Sequence, residues 1–230
     1  MKKKINLGII GISGKMGNIL QQTIKKDIYL NLIGGVGKKN IEKDLFSLSK
    51  KSDILIDFSS PSSLKKLLTT AKKYKTPLII GTTGYTKSQI TQIKKSATEI
   101  PIFYSSNYSI GIAICKNLIK KATKLIKKNF SIEIKEKHHK EKKDSPSGTA
   151  ISLKNEILKI KKNDLPITSL REGEIVGEHE VLFSNLEEEF SIFHKAKSRK
   201  AFANGVLLTI KFLYKKRKYP DLYSMENLFE

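Results

Sequence analysis

The chain has 230 residues, enough for one large domain or two small ones, and no apolar run long enough to cross a membrane. Its formal net charge is +22, but only three of the 44 basic residues are arginines, the type preferred for phosphate and base contacts. Because the lysines are spread over the whole sequence, we read them as a surface bias and expect no nucleic-acid partner. The single cysteine, Cys115, excludes an internal disulfide and is consistent with a cytoplasmic protein.

A glycine-rich turn follows the first predicted strand, residues 5–10. It reads Gly11-Ile12-Ser13-Gly14-Lys15-Met16-Gly17, and residues 18–26 behind it have helical character. A strand, a glycine turn and a helix form the context of a dinucleotide-binding fingerprint, in which the helix N-terminus receives the pyrophosphate. The spacing is G-x-x-G-x-x-G instead of G-x-G-x-x-G, and ordinary turns also contain glycine. We favour the cofactor interpretation because the turn follows the first strand of the chain.

The end of the second predicted strand, residues 30–36, bears on the choice of cofactor. An enzyme that uses NADH usually carries an acidic residue there, which binds the ribose hydroxyls. This chain has Gly37 followed by Lys38 and Lys39. Two cations in place of a carboxylate favour the 2′-phosphate of NADPH, although lysines occupy most loops of this chain. We therefore expect NADPH or NADH, with a weak preference for NADPH.

Further strands and helices alternate up to residue 104. The predicted strands are 53–58, 77–80 and 101–104, with helices after Pro61 and over 86–97. This order predicts an α/β domain with a Rossmann-like, doubly wound parallel sheet. Ligands of such sheets bind beyond the carboxyl ends of the strands. The turns at those ends, Gly81-Thr82-Thr83-Gly84 and Ser105-Ser106-Asn107-Tyr108, are therefore candidates for the same crevice as the glycine turn.

The pattern changes after residue 109. A helix over 110–127 is followed by strands over 130–136, 174–183 and 189–195, without regular helices between them. This clustering predicts a second α+β domain with a mixed sheet. The apolar stretch 201–210 is expected to return and pack on the first domain. We thus expect a dinucleotide-binding domain of 1–108, completed by 200–230, and a domain of 109–199 for substrate binding and oligomerisation.

The segment from Glu136 to Ala150 concentrates the candidate chemistry. His138 and His139 are adjacent, and Lys142 follows four positions after the first of them. Asp144-Ser145-Pro146-Ser147-Gly148-Thr149 then reads as a turn that starts a helix, with Pro146 in its first turn and Ser145 or Ser147 as its cap. Histidine is a proton donor near neutral pH, lysine is a fixed positive charge, and a helix N-terminus binds anions. The combination predicts a site that holds a carboxylate and protonates an atom beside it.

Simpler interpretations remain for parts of this pattern. The lysines of the segment alone would be a solvated charge run. Another two-domain nicotinamide enzyme, such as an aspartate or homoserine dehydrogenase, would account for the glycine turn but not for the histidine segment. A nucleotide sensor or a nucleic-acid binder would account for the charge only. Metal binding by the adjacent histidines is disfavoured because adjacent side chains diverge and no third ligand is suitably spaced, so we expect no metal.

The motifs together resemble the 4-hydroxy-tetrahydrodipicolinate reductase family, also called dihydrodipicolinate reductase. The resemblance runs nearly end to end, and the segment from Glu136 to Ala150 is its most specific part. The other matching motifs are Gly11–Gly17, Asp57-Phe58-Ser59, Gly81-Thr82-Thr83-Gly84, residues 106–111, Ile175-Val176-Gly177-Glu178-His179, His194-Lys195-Ala196 and residues 199–205.

The resemblance implies a function and a role for each site residue. The substrate would be a cyclic dicarboxylate, reduced by NADPH or NADH to tetrahydrodipicolinate with loss of water. His138 would be the general acid and Lys142 would stabilise the anion formed as hydride arrives. The substrate carboxylate would be held by His139, Ser147, Gly148 and Thr149. We expect the cofactor to be held by Gly11, Gly14, Lys15, Met16, Gly17, Lys38, Gly81, Thr82, Thr83, Ser106, Asn107 and Tyr108.

Two stretches depart from the family pattern. The chain is shorter than is usual for the family, and residues 38–51 and 160–170 read as trimmed loops. Loops tolerate such changes thermodynamically. The second stretch lies in the domain that resembles the family's tetramer-forming part, and the resemblance implies a homotetramer.

Overall fold

The computed structural model describes residues 4–37, 41–126, 129–162 and 164–229. These residues form two compact units. The first unit contains the described residues up to Tyr108 together with those from Phe202 onward, and the second contains Ser109–Ala201. None of the helices in the described part of the chain combines the length and the apolar character that a membrane span needs.

The first unit is built on a six-stranded parallel sheet, which confirms the predicted doubly wound α/β fold. The strand order is β10-β5-β4-β3-β1-β2. From β1 the chain first adds β2 at one edge of the sheet, then crosses to the other side of β1 and adds β3, β4, β5 and β10. The order therefore reverses between β1 and β3. Such a switch point is where ligands of these sheets bind. The strands are β1 (Ile5–Ile10), β2 (Leu30–Val36), β3 (Ile54–Asp57), β4 (Leu78–Ile80), β5 (Ile102–Tyr104) and β10 (Leu222–Tyr223).

Helices cover the sheet because each carries an apolar stripe at helical spacing. The helices of this unit are α1 (Lys15–Ile24), α2 (Ile41–Lys51), α3 (Leu64–Tyr74), α4 (Lys87–Ser96) and α7 (Lys200–Lys215). Leucines of α2 and α3 share one buried cluster with Ile102 of β5. Phe103 points to the other face of the sheet, where its ring meets Phe212 of α7 with centroids 6.0 Å apart. Within the stretch 201–210, a Cβ on Gly205 would lie 1.7 Å from the carbonyl oxygen of Tyr108, so this part of α7 packs on the first unit.

The interpretation of residues 38–51 as a trimmed loop was wrong over most of its length. Residues from Ile41 onward form α2, and Leu45 and Leu48 are buried in the core. The stretch was interpreted as a trimmed loop because the chain is shorter than is usual for the family, and a difference in length does not show which residues form a helix. Lys38 and Lys39 lie outside the described residues, so the structure does not bear on their predicted contact with a cofactor phosphate.

The second unit contains a four-stranded mixed sheet, as predicted, with strand order β7-β6-β8-β9. β7 is parallel to β6, and the other neighbours are antiparallel. Helices α5 and α6 pack on one side of this sheet through a buried apolar cluster. The elements are α5 (Ile110–Leu125), β6 (Ser131–His138), α6 (Gly148–Leu158), β7 (Ile167–Arg171), β8 (Glu178–Ser184) and β9 (Glu189–Lys195).

Two boundaries in this unit differ from the prediction in ways that matter for the site. β7 begins at Ile167, within the stretch 160–170 that we interpreted as a trimmed loop, and it pairs with β6 over its whole length. β6 itself extends to His138, two residues further than predicted. The histidine is therefore held by strand pairing, since its register partner is Arg171.

The helix-facing side of this sheet changes from apolar to polar along its length. Successive residues of a strand point to opposite faces, so Ile134, Glu136 and His138 share the inner face of β6. The register places Glu136 opposite His179, and His179 opposite His194. One end of the inner face is thus a row of titratable side chains in a buried setting, and this row positions the candidate site.

Candidate active site

The glycine turn of the first unit is closely packed against the neighbouring strand. Gly11 has a φ of +83°, and a Cβ there would lie 2.3 Å from the carbonyl oxygen of Phe58. A Cβ on Gly17 would lie 2.3 Å from the carbonyl oxygen of Gly11. The predicted roles of these two glycines, a tight turn and close packing of helix on strand, agree with this geometry.

Helix α1 begins directly behind this turn. Gly14 is its N-cap and offers no side-chain acceptor to the first N–H groups of the helix. The first helical positions are Lys15, Met16 and Gly17, where N–H groups lack an intrahelical acceptor and the helix dipole favours an anion. The turn has no room for a side chain at Gly11 or Gly17. Together with a helix N-terminus at the β1/β3 switch point, it suits the pyrophosphate of a dinucleotide.

The turns after β3 and β4 are joined by a buried carboxylate. Asp57, fully buried at the end of β3, accepts hydrogen bonds from the hydroxyls of Ser59 (2.5 Å), Thr82 (2.7 Å) and Tyr85 (3.3 Å). The Thr82 hydroxyl also accepts the backbone N–H of Ser59 at 2.9 Å. Burial raises the pKa of Asp57, against the lowering effect of the hydroxyl groups. The Thr82 hydroxyl therefore holds the loops together, while Thr83 beside it is exposed.

The turn after β5 places its predicted cofactor residues in different settings. Ser106 is exposed and Asn107 is half-buried. Tyr108 is buried, and its hydroxyl donates to the carbonyl of Ile80 at 2.9 Å. A structural role for the Tyr108 side chain follows from these contacts.

The second unit brings His138 together with residues from three other segments. Glu136 and His138 are both buried, and the Nδ1 atom of His138 hydrogen-bonds Oε2 of Glu136. The other oxygen, Oε1, accepts Nη2 of Arg171 at 2.8 Å and the backbone N–H of Ser147 at 3.3 Å. Burial raises the pKa of Glu136, but Arg171 and His138 outweigh it and hold the pKa below its usual value. Glu136 is therefore ionised at neutral pH.

His179 forms the second side of this cluster. Its ring lies edge-on to that of His138, with centroids 5.1 Å apart, and its Nε2 is 3.2 Å from the hydroxyl of Ser147. Burial is the main reason why the pKa of His179 falls to about 3, with a further lowering by His138. Burial also lowers the pKa of His138 itself, against the raising effect of Glu136. Both imidazoles are neutral in the ligand-free protein at pH 7.

Helix α6 begins where the predicted carboxylate cradle was placed. Ser147 is its N-cap, and its hydroxyl accepts the N–H of Ala150 at 3.1 Å. Gly148 and Thr149 are the first two helical residues. The expectation that Pro146 lies in the first helical turn was wrong, because it precedes the cap. The choice between Ser145 and Ser147 as cap is settled in favour of Ser147.

An internal carboxylate lies at this cradle. Asp144 accepts a hydrogen bond from the Lys142 ammonium at 2.7 Å. Burial raises the pKa of Asp144, but Lys142 and the backbone near Gly148 outweigh it and lower the pKa overall. The lysine and the start of α6 thus act together on one carboxylate of the chain itself. His139 is half-buried nearby along the chain, and its N–H bonds the carbonyl of Ile175 at 2.8 Å.

One metal-ligand combination occurs among the residues that the structure describes. Glu136, His138 and His179 have potential ligand atoms within 4.8 Å of one another. His139 is not part of this group, but Glu136 and His179 give His138 the further ligand atoms that the spacing in the sequence did not reveal. Both oxygens of Glu136 are engaged, one of them by the Arg171 guanidinium, so a metal ion would have to compete with a fixed positive charge.

Sequence reasoning missed three members of the cluster. Glu136 was noted only as the first residue of a motif, and Arg171 and His179 carried no predicted role. Arg171 and Glu136 are 35 residues apart in the sequence, and the register of β7 on β6 brings their side chains together. A usable signal was the alternation along β6, which puts Glu136 on the same face as His138.

Comparisons with known proteins agree with this geometry. Two family models match, "Dihydrodipicolinate reductase, N-terminus" over residues 5–108 and "Dihydrodipicolinate reductase, C-terminus" over residues 111–229. The chain is 36% identical over 248 residues to the 4-hydroxy-tetrahydrodipicolinate reductase of Caldanaerobacter subterraneus subsp. tengcongensis, with 97% of this chain and 98% of that protein covered. It is 37% identical over 240 residues to the same enzyme of Rickettsia bellii, with 98% and 95% covered.

A solved structure shows the same fold. The dipicolinate-bound dihydrodipicolinate reductase from Paenisporosarcina sp. TG-14 superimposes with a TM-score of 0.80 at 23% identity, with 97% of this chain and 99% of that chain covered. The fold, the two family matches and the full-length relatives point to one conclusion. The chain belongs to the dihydrodipicolinate reductase family, the NAD(P)H-dependent 4-hydroxy-tetrahydrodipicolinate reductases of lysine and diaminopimelate biosynthesis.

Proposed function

We propose that the reductase reaction is divided between the two units of this chain. Residues 1–108 with 200–230 bind the cofactor, and residues 109–199 bind the dicarboxylate, supply the proton and form the oligomer contacts. The observation that carries this proposal is the cluster of a proton donor, a lysine and a helix N-terminus in the second unit. Reduction needs a hydride, which the bound NAD(P)H supplies, and a proton, which has to come from the protein.

His138 is the general acid in this proposal. It delivers a proton to the ring carbon next to the one that accepts hydride, and water is lost from the hydroxylated ring in the same overall reaction. In the ligand-free protein, burial holds the pKa of His138 below its usual value. A bound dicarboxylate adds negative charge near Lys142 and Arg171, whose charges lower that pKa. Substrate binding therefore favours the protonated imidazole that the reaction consumes.

Lys142 and the start of α6 form the carboxylate cradle. The contact between Asp144 and Lys142 supports this role, because it shows that the ammonium is in reach of a carboxylate held in this turn. Gly148 and Thr149 present the helix N-terminus, and Ser147 and His139 complete the cradle. Lys142 also stabilises the anion that forms as hydride arrives.

The first unit holds the cofactor by its turns at the carboxyl ends of the strands. The glycine turn and the first residues of α1 take the pyrophosphate: Gly11, Gly14, Lys15, Met16 and Gly17. The turns after β4 and β5 take the nicotinamide half. Gly81, Thr83, Ser106 and Asn107 contact it, and Thr82 and Tyr108 hold these turns in place through their buried hydroxyls. NADPH is preferred to NADH, because Gly37 replaces an acidic residue and Lys38 follows it.

The proposal also covers assembly and location. The protein acts in the cytoplasm as a homotetramer. Support for self-association comes from Leu170 and Phe193, two exposed apolar side chains on the side of the second sheet opposite to α5 and α6.

The decisive experiment is oxidation of reduced nicotinamide by the purified protein and by a His138→Gln variant. Substrate is generated in place from pyruvate and aspartate semialdehyde by the preceding synthase, with NADPH and NADH tested separately. We expect substrate-dependent oxidation, faster with NADPH at low concentration. We expect His138→Gln to lower kcat by about 10²- to 10⁴-fold, because the proton donor is lost, with cofactor affinity unchanged.

Lys140→Gln is the matched control, since it changes an exposed residue of the same segment. It should retain the wild-type kcat. A His138→Gln variant with wild-type kcat would refute the proposed role of His138, and equal rates with the two cofactors would refute the NADPH preference.

A further inference from the structure

We propose that Glu136 is a positioning residue of this enzyme, which holds His138 by Nδ1 so that Nε2 delivers the proton. The inference rests on the proposed function of His138 as the acid. It extends that function to a carboxylate whose side chain bonds the backbone N–H of Ser147 at the cradle and has no described contact with the cofactor turns, and to its partner Arg171.

The first argument is the completeness of the contacts of Glu136. Its side chain is 0% exposed, yet each carboxylate oxygen has a partner: His138 on one, Arg171 and the Ser147 N–H on the other. A buried charge is costly unless it is paired and hydrogen-bonded. The arrangement therefore keeps an ionised carboxylate at a fixed place beside the imidazole.

The second argument concerns the tautomer of His138. An ionised carboxylate accepts hydrogen bonds and cannot donate them, so the Nδ1 atom of His138 carries a proton. Nε2 is then the atom that gains and loses the second proton. It faces Gly177, where an added Cβ would lie 3.0 Å from Nε2. The glycine leaves that side of the ring unobstructed by a side chain.

The third argument is electrostatic. The charged and titratable groups that face His138 are Glu136 on its own strand, Arg171 on β7, His179 on β8, and Lys142 in the following turn. Lys142 and Arg171 lower the pKa of His138, and Glu136 raises it. Without Glu136, no negative charge would oppose Lys142 and Arg171, and the pKa of His138 would fall further below its usual value.

The fourth argument links the proton donor to the carboxylate cradle. Oε1 of Glu136 accepts the N–H of Ser147, and Ser147 is the N-cap of the helix whose start forms the cradle. Arg171 reinforces this link, because its Nη2 also donates to the carbonyl of Asp144 at 2.6 Å. The carboxylate thereby fixes the donor relative to the place where the substrate carboxylate binds.

A purely structural role is the alternative, and the chain offers a matched control for it. Glu156 of α6 is also a buried, ion-paired glutamate of the second unit, bonded to Lys159 at 2.9 Å and paired with Lys120 at 3.3 Å. It has no contact with His138 among the described interactions. Loss of its charge tests what removal of a buried carboxylate does to the fold alone.

The experiment compares Glu136→Gln, Arg171→Gln and Glu156→Gln by kinetics and by nitrogen-15 NMR of the histidine rings. The chain has only four histidines, so the His138 signal is assigned by its absence from His138→Gln. In the free wild-type enzyme we expect the Nδ1–H tautomer. We expect Glu136→Gln to lower the His138 pKa and Arg171→Gln to raise it, because the two charges act on the imidazole in opposite directions.

The kinetic expectation is a tenfold to hundredfold loss of kcat in Glu136→Gln, the range found when an outer partner of a functional histidine is removed, with KM for NADPH unchanged. In each variant, the pKa read from the pH dependence of kcat should shift in the same direction as the His138 pKa measured by NMR. Glu156→Gln should keep the wild-type kcat and His138 titration.

Three results would overturn the inference. They are an Nε2–H tautomer of His138 in the wild type, a His138 titration in Glu136→Gln equal to that of the wild type, and an equal loss of kcat in Glu156→Gln. If Glu136→Gln does not fold, the wild-type tautomer and Arg171→Gln decide the matter. His138→Gln tests the acid role separately, because this variant has no imidazole for Glu136 to position. A wild-type kcat in His138→Gln would mean that the acid role itself is wrong, whatever the result with Glu136→Gln.

Discussion

The Asp144 carboxylate pairs with the ammonium of Lys142, the group that we propose binds the substrate carboxylate. The side chain of Asp144 is 57% exposed, so the interaction is screened by solvent, and a substrate carboxylate can compete for Lys142. We predict that Asp144→Asn lowers the KM for substrate by about two- to fivefold, the effect of losing one exposed ion pair. Steady-state kinetics measures this constant.

Glu141→Gln separates this competition from a general change of charge. It removes one negative charge from the same exposed segment, and Lys142 keeps its contact with Asp144. The KM of Glu141→Gln should therefore differ less from the wild-type KM than the KM of Asp144→Asn does. A raised KM in Asp144→Asn would mean that Asp144 holds Lys142 in its working position and does not compete with the substrate.

The parts of the site that depend only on neighbouring residues in the sequence could be predicted. Local sequence narrowed the N-cap of α6 to Ser145 or Ser147, and the structure shows that it is Ser147. The partners of His138 could not be predicted in this way. Arg171 and His179 meet it through the register of three strands, and a shift of one residue in either pairing would turn these side chains to the other face.

At the scale of elements, residues 38–51 were interpreted as a trimmed loop because the chain is shorter than is usual for the family. That comparison carries no information on periodicity, and the described residues of α2 that are buried are only Leu45, Leu48 and Ser49. β7 was missed for a related reason, since its burial pattern alternates only between half-buried and exposed positions. Long buried strands such as β1 have no such ambiguity, and their limits were predicted correctly.

The buried histidine row makes the second sheet sensitive to acid. The pKa of His179 is about 3 in the folded protein, below its ordinary value of 6.5, because the side chain is buried. Between these values the unfolded chain binds a proton that the folded chain does not, so stability is lost as pH falls through this window. We predict that the wild type loses about 1 kcal/mol more unfolding free energy between pH 6 and pH 5 than His179→Gln.

Urea unfolding followed by circular dichroism at pH 8, 6 and 5 measures this difference. The comparison at pH 8, where His179 is neutral in both states, gives the cost of losing the side chain itself. The change of that difference with pH then reports the titration of His179 together with its coupling to His138. Parallel curves for the two proteins from pH 8 to pH 5 would refute a depressed pKa at His179.

At the scale of the whole molecule, the positive charge is general and apolar exposure is local. A net charge of +22 spread over lysines attracts anionic substrates and cofactors but also makes copies of the chain repel one another. Association therefore needs a surface that offsets this repulsion. The outer face of the second sheet offers one, because Leu170 and Phe193 stand exposed on it and acidic Glu180 lies opposite Phe193 in the register.

This surface gives the last prediction, on assembly. Phe193 is 55% exposed on the sheet face, and Phe193→Lys would put a further charge into a contact between copies. We predict that the variant sediments as a smaller species than the homotetramer that we propose for the wild type. Leu186→Lys is the control, since Leu186 is 99% exposed in the turn between β8 and β9 and off the sheet face. Sedimentation velocity in high salt, where charge repulsion is screened, distinguishes a lost apolar contact from added repulsion. A Phe193→Lys protein that stays tetrameric would place the interface elsewhere. Dissociation in both variants would show that added charge alone drives the copies apart.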